Sequence, residues 1–132
     1  MRLEGARVLV VDDEPDLREV FSAWLQQAGC LVFTAANGAE ALEVLDAQKI
    51  DALVSDIRMP VMDGIALVQA IYERKLVIPS IILVSGFGTL WPLETLGHGV
   101  YTLLDKPLRK QDLLLVLQNS LMEANIKLTR PA

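Results

Sequence analysis

Leu53-Val54-Ser55-Asp56-Ile57-Arg58-Met59-Pro60 is an apolar run that ends in an aspartate just before a proline-containing turn. A short, continuous apolar run bounded by a turn reads as a strand covered on both faces, the kind found in parallel sheets. With the residues before it, this strand spans Ile50 to Ser55. Four other runs share its character: Ala6 to Val11, Cys30 to Thr34, Val77 to Val84 and Val100 to Leu104.

Helical spacing fills the intervals. Pro15 suits a first helical turn, and Leu17, Val20, Phe21, Trp24, Leu25 and Ala28 recur at helical periodicity before Gly29 closes the segment. A helix of good formers follows Asn37-Gly38 to about Gln48, with Ala41, Leu42 and Leu45 inward. Met62-Asp63-Gly64 opens a third, carrying Ile65, Leu67, Val68 and Ile71. Between Phe87 and Gly99 the glycines and Pro92 predict only a short or irregular helix. The last helix is expected from Arg109 to about Asn125. Five strands alternating with five helices predict a doubly wound α/β fold, a five-stranded parallel sheet with helices on both faces. The expected domain is 1–125, followed by a C-terminal tail at 126–132.

Composition narrows the function. At 132 residues the chain has the length of one domain, and it is 52% hydrophobic but only 5% aromatic. No apolar run approaches the ~18 residues of a spanning helix, and the start lacks a signal sequence, so no membrane role and a cytoplasmic location are expected. Seventeen acidic against twelve basic residues, a formal net charge of -5, argue against nucleic-acid binding. Cys30 is the only cysteine, which excludes an internal disulfide and suits a small buried role. His98, beside glycines and without a companion histidine, reads as an exposed loop residue. Trp24 fits an inner helix face, and Met59 and Met62 read as packing residues.

The polar residues gather at strand ends. Asp12 and Asp13 follow the first strand, Asp56 the third, Ser85 the fourth and Lys106 the fifth. In an open parallel sheet these ends lie on one edge, where ligands bind at the point of reversed strand order. An order 2-1-3-4-5 would bring Asp12 and Asp13 to face Asp56. Three such carboxylates repel one another, and a hard divalent cation, Mg²⁺ by its oxygen preference, would settle them. Lys106 adds a flexible cation, and the Ser85 hydroxyl with backbone N–H groups near Gly86 and Arg58 can donate to phosphoryl oxygens. The set suits transfer of a phosphoryl group onto Asp56, which is ionised at neutral pH and needs no general base.

Val10-Val11-Asp12-Asp13-Glu14-Pro15, Asp56-Ile57-Arg58-Met59-Pro60 with Met62-Asp63-Gly64, Ser85-Gly86 and Lys106-Pro107 together resemble the receiver domain of two-component response regulators, over essentially the full chain. The resemblance implies Asp56 as phosphoacceptor, Asp13 as a direct Mg²⁺ ligand, Asp12 as a ligand through water and the Arg58 carbonyl as a backbone ligand. It further implies Ser85 as a switch hydroxyl, Lys106 as its cationic partner, and a sensor histidine kinase or histidine phosphotransfer protein as donor. The chain would then act as a phosphoacceptor, not as an enzyme in the ordinary sense, and signal by protein contact. Two departures stand out: Leu103 occupies a place where the family commonly carries an aromatic ring, with Tyr101 two residues earlier, and in the region Gly86 to Gly99 glycines and Pro92 replace the family's usual well-formed helix. Two other readings compete, a phosphorylation-silent binding module and an Mg²⁺-dependent aspartyl phosphohydrolase. The second usually needs an acid two residues after the nucleophile, where Arg58 stands. Finally, the apolar run Leu113 to Leu117 exceeds what one sheet face can cover. Leu114 or Leu115 should be left over and, with Leu90 and Trp91, offer a homodimer or partner surface.

Overall fold

The computed structural model describes residues 3–86 and 98–129. Five parallel strands, β1 (Arg7–Val11), β2 (Leu31–Ala35), β3 (Ala52–Asp56), β4 (Ser80–Ser85) and β5 (Val100–Asp105), form one sheet in the order β2-β1-β3-β4-β5. Four helices lie among the described residues: α1 (Pro15–Gln27), α2 (Gly38–Ala47), α3 (Gly64–Glu73) and α4 (Lys110–Thr129). The expected helix between Phe87 and Gly99, with Leu90, Trp91 and Pro92, lies outside the described residues apart from its last two positions.

Alternation along the strands builds two apolar layers. Leu9, Val11, Leu53, Ile81 and Leu83 meet Ala41, Leu42 and Leu45 of α2 and Leu67, Val68 and Ile71 of α3. Val8, Val10, Val54, Ile82 and Val84 meet Phe21 and Leu25 of α1 and Leu113 and Leu117 of α4. Strands buried on both faces favour apolar residues in succession, which is why residues 8–11 of β1, 52–54 of β3 and 81–84 of β4 read as continuous apolar runs, with polar residues confined to the strand ends. Trp24 packs partly buried in the second layer, 5.6 Å from Phe21 between ring centroids. Cys30 is buried with its thiol 3.5 Å from the Leu3 carbonyl oxygen, and burial pushes that thiol up to about 11.

Several expectations need correction. β2 begins at Leu31, since the Cys30 N–H closes the end of α1 by donating to the Leu25 carbonyl. β3 begins at Ala52, because the Asp51 side chain accepts from the Arg7 N–H. β4 begins at Ser80, after Pro79, which has no N–H to give a ladder, and Val77 is 76% exposed. α4 spans Lys110–Thr129 rather than ending at about Asn125, since no proline or glycine interrupts it there. His98 is half-buried rather than exposed, stacked on Tyr72 with centroids 4.2 Å apart and planes 11° apart. As expected, one leucine of the last helix is left over: Leu115 is 58% exposed, while Leu114 packs against the second layer.

Candidate functional site

The carboxyl ends of β1, β3, β4 and β5 deliver the polar residues to one edge. Asp12 follows β1 directly and its N–H donates to the Ala35 carbonyl at the end of β2. Asp56 is the last residue of β3 and Ser85 the last of β4. Lys106 follows β5, its N–H held by the Ser85 carbonyl at 2.8 Å. Each side chain is thus fixed by a strand end whose backbone is already paired.

The structure brings Asp12, Asp13 and Asp56 together: one carboxylate oxygen from each lies within 4.8 Å of the others. Lys106 Nζ donates to Asp56 Oδ2 at 3.1 Å and to Asp12 Oδ2 at 3.4 Å. Asp12 and Asp56 are buried, Asp13 is exposed, and Lys106 is mostly covered. Burial pushes the Asp56 carboxyl above the ordinary carboxylate range. The Lys106 hydrogen bond and charge only partly offset this, and the Asp12 charge adds to it. For Lys106, burial works against the ammonium, but the hydrogen bond and charge of Asp56, with those of Asp12, outweigh it and hold the group above its usual value. One ammonium among three carboxylates leaves a negative excess of hard oxygen donors, a set that fits a divalent cation such as Mg²⁺.

Ser85 Oγ donates to the Gly86 carbonyl at 2.9 Å, so the hydroxyl stands at the same edge. The Arg58 side chain is exposed, and its carbonyl accepts no hydrogen bond from the described residues. Leu103 packs against the first apolar layer, as does Val100. A bulge where β5 pairs with Ile81 and Ile82 sets Tyr101 out of that regular alternation, and its hydroxyl donates to Glu123 Oε1 of α4 at 3.3 Å.

Three supports escaped the sequence reading. The Glu14 N–H donates to Asp12 Oδ1 at 2.9 Å, forming a turn that holds the carboxylate, and Arg18 Nη1 donates to the Asp12 carbonyl at 2.7 Å. The first is an Asx turn, which an aspartate after a strand allows but does not require, and the second depends on how the β1–α1 turn folds back. Gly64, quoted above only as part of a motif, sits so close that a Cβ there would stand 2.4 Å from the Asp56 carbonyl oxygen. The Gly64 N–H also bonds the Ile57 carbonyl at 2.8 Å, so α3 begins directly on the turn that carries Asp56.

The sequence profile of the response regulator receiver domain matches residues 8–118. The chain is 34% identical over 124 residues to the transcriptional regulatory protein GlrR of Escherichia coli (strain K12), covering 94% of this chain and 28% of that protein. It is 40% identical over 100 residues to the DNA-binding transcriptional regulator NtrC of the same organism, covering 76% of this chain and 21% of NtrC. The chain therefore spans about a quarter of the length of these curated relatives. Among solved structures, a CheY-like response regulator receiver domain protein from Methanospirillum hungatei JF-1 superposes with a TM-score of 0.84 at 25% identity, covering 94% of this chain and 99% of that one. The chemotaxis protein CheY4 of Vibrio cholerae superposes with a TM-score of 0.77 at 35% identity, covering 88% and 98%.

Proposed function

This chain belongs to the response regulator receiver domain family, and we propose that within it Asp56 accepts a phosphoryl group from a phosphohistidine on a sensor histidine kinase or histidine phosphotransfer protein. The observation that carries this reading is the shared Lys106 ammonium, 3.1 Å from Asp56 and 3.4 Å from Asp12 at a carboxylate-rich sheet edge. An Asp56 oxygen forms the new O–P bond as the P–N bond to the donor imidazole breaks, and the departing ring nitrogen keeps the electron pair and takes a proton from solvent. Lys106 already donates to one Asp56 oxygen and so stands beside the position a phosphoryl group would take, and Ser85 supplies a hydroxyl for a phosphoryl oxygen. Asp13, Asp56 and the Arg58 carbonyl would hold Mg²⁺, with Asp12 acting through water. A bound Mg²⁺ neutralises charge on phosphoryl oxygens.

The receiver domain is proposed to span 1–125, to work in the cytoplasm, and to signal by protein contact, with Leu115 and the 87–99 segment as the surface for a second copy or a downstream protein. Among the described residues no helix is long and apolar enough to cross a membrane. The DNA binding named for NtrC belongs to a protein of which this chain covers 21%, and the acidic balance of the 132 residues favours protein partners over nucleic acid. Incubation with acetyl phosphate and Mg²⁺ followed by mass spectrometry tests the chemistry. A single phosphoryl adduct, absent from Asp56→Asn, is expected. Rapid turnover of phosphoesters would favour a phosphohydrolase, and the lack of any adduct would favour a phosphorylation-silent module.

A further inference from the structure

Arg18 lies on α1 one turn beyond its start, and its guanidinium folds back across the amino end of that helix to reach Asp12. A cation in that place has the wrong sign for the helix dipole, whose amino end is itself partially positive. The side chain is therefore better explained by what it holds than by helix stability. It holds a carbonyl oxygen, at 2.7 Å, in a bond that closes the whole β1–α1 turn from residue 12 to residue 18.

That bond completes Asp12. Its N–H is given to Ala35, Oδ1 takes the Glu14 N–H, Oδ2 takes Lys106, and the carbonyl takes Arg18. Asp13 is the opposite case: exposed, and without a hydrogen bond or ion pair among the described residues. Nothing of its own aims its carboxylate, yet one of its oxygens lies within 4.8 Å of both neighbours. Its direction is set by the peptide that joins it to Asp12, and the carbonyl of that peptide is the group Arg18 grips.

We infer that Arg18 is a positioning residue for divalent-cation binding, fixing the Asp12–Asp13 peptide so that the Asp13 carboxylate faces Asp56. This rests on the cation site proposed above. Side chains that hold ligands without touching the metal commonly change affinity by about 10- to 100-fold when removed. A mere bystander cation would act with the opposite sign, since removing a positive charge near the site would tighten cation binding.

The test is calorimetric titration of the full chain with MgCl₂. Arg18→Met keeps the aliphatic stem and removes the donor, and Mg²⁺ binding should weaken about tenfold. Arg18→Lys keeps the charge on a single-point donor and should weaken binding about threefold, on the same scale of effects. Gln26→Ala, on the exposed side of α1, should bind as the parent does. At saturating Mg²⁺, Arg18→Met should regain the parent rate of Asp56 phosphorylation by acetyl phosphate, which separates lost binding from a damaged acceptor. Parent-like or tighter Mg²⁺ binding by Arg18→Met overturns the inference while leaving the site intact. If that variant does not fold, parental affinity in Arg18→Lys overturns it instead. A parent protein that binds no Mg²⁺ overturns the cation site itself, and this role with it.

Discussion

Asp56 and Lys106 form an ion pair, yet the two ends of it contribute to stability with opposite sign. Asp56 has a raised folded-state pKa, so its ionised form opposes folding at neutral pH, and that cost fades as the pH falls through the raised value toward the unfolded one. Asp56→Asn should therefore be more stable than the parent in urea melts at pH 7, with the difference shrinking at acid pH; a less stable variant at pH 7 would contradict this. Lys106 is raised too, so its contribution is complete below its unfolded value and is lost as the solution becomes strongly alkaline, through the raised folded value. The role proposed for it toward a phosphoryl group can be probed apart from stability. Lys106→Ala should slow adduct formation at Asp56 by about tenfold or more, the equivalent of ~1.4 kcal/mol of lost charge stabilisation. Gly64 tests the same turn sterically. Gly64→Ala must displace backbone 2.4 Å from the new Cβ, and a loss of about 1–3 kcal/mol in chemical denaturation is expected.

At the scale of elements, α4 is tied to the sheet by a polar contact inside an apolar layer. Ser80 Oγ of β4 and Ser120 Oγ of α4 are 2.5 Å apart and both buried. Ser120→Ala leaves the Ser80 hydroxyl buried and unpaired and should cost about 1–3 kcal/mol, whereas adding Ser80→Ala should recover part of that loss. Leu113→Ala should cost about 2–5 kcal/mol and the exposed Leu115→Ala less than about 0.5, a contrast measurable in the same melts. The elements also divide by how well they could be read. Runs such as Ala52 to Val54 were legible because burial on both faces favours apolar residues in succession, and the strand-end aspartates were legible because charge terminates those runs sharply. Val77-Ile78 misled for the same reason: it is apolar, but Pro79 interrupts the ladder and Val77 lies outside it. The bulge at Tyr101 and the stacking of His98 on Tyr72 depend on contacts between distant segments, which no local period encodes, and the reach of Arg18 to Asp12 depends on the path of the β1–α1 turn.

For the molecule as a whole, one sheet is shared by both apolar layers, so neither layer can come apart without exposing the strands of the other. Unfolding is expected to be two-state: in a Trp91→Phe background, Trp24 fluorescence and far-UV circular dichroism should give coincident urea midpoints, and separated midpoints would show that the layers melt independently. The same sheet polarises the molecule. Every residue assigned to phosphoryl chemistry stands at the carboxyl edge, while the connection from α3 to β4 turns at the far edge, with Lys75 at φ 57° and Val77 open to solvent. That connection is consequently a natural splice point: a reporter domain inserted there, or new chain ends opened there by circular permutation, would leave the carboxyl edge with Asp12, Asp56 and Lys106 chemically untouched.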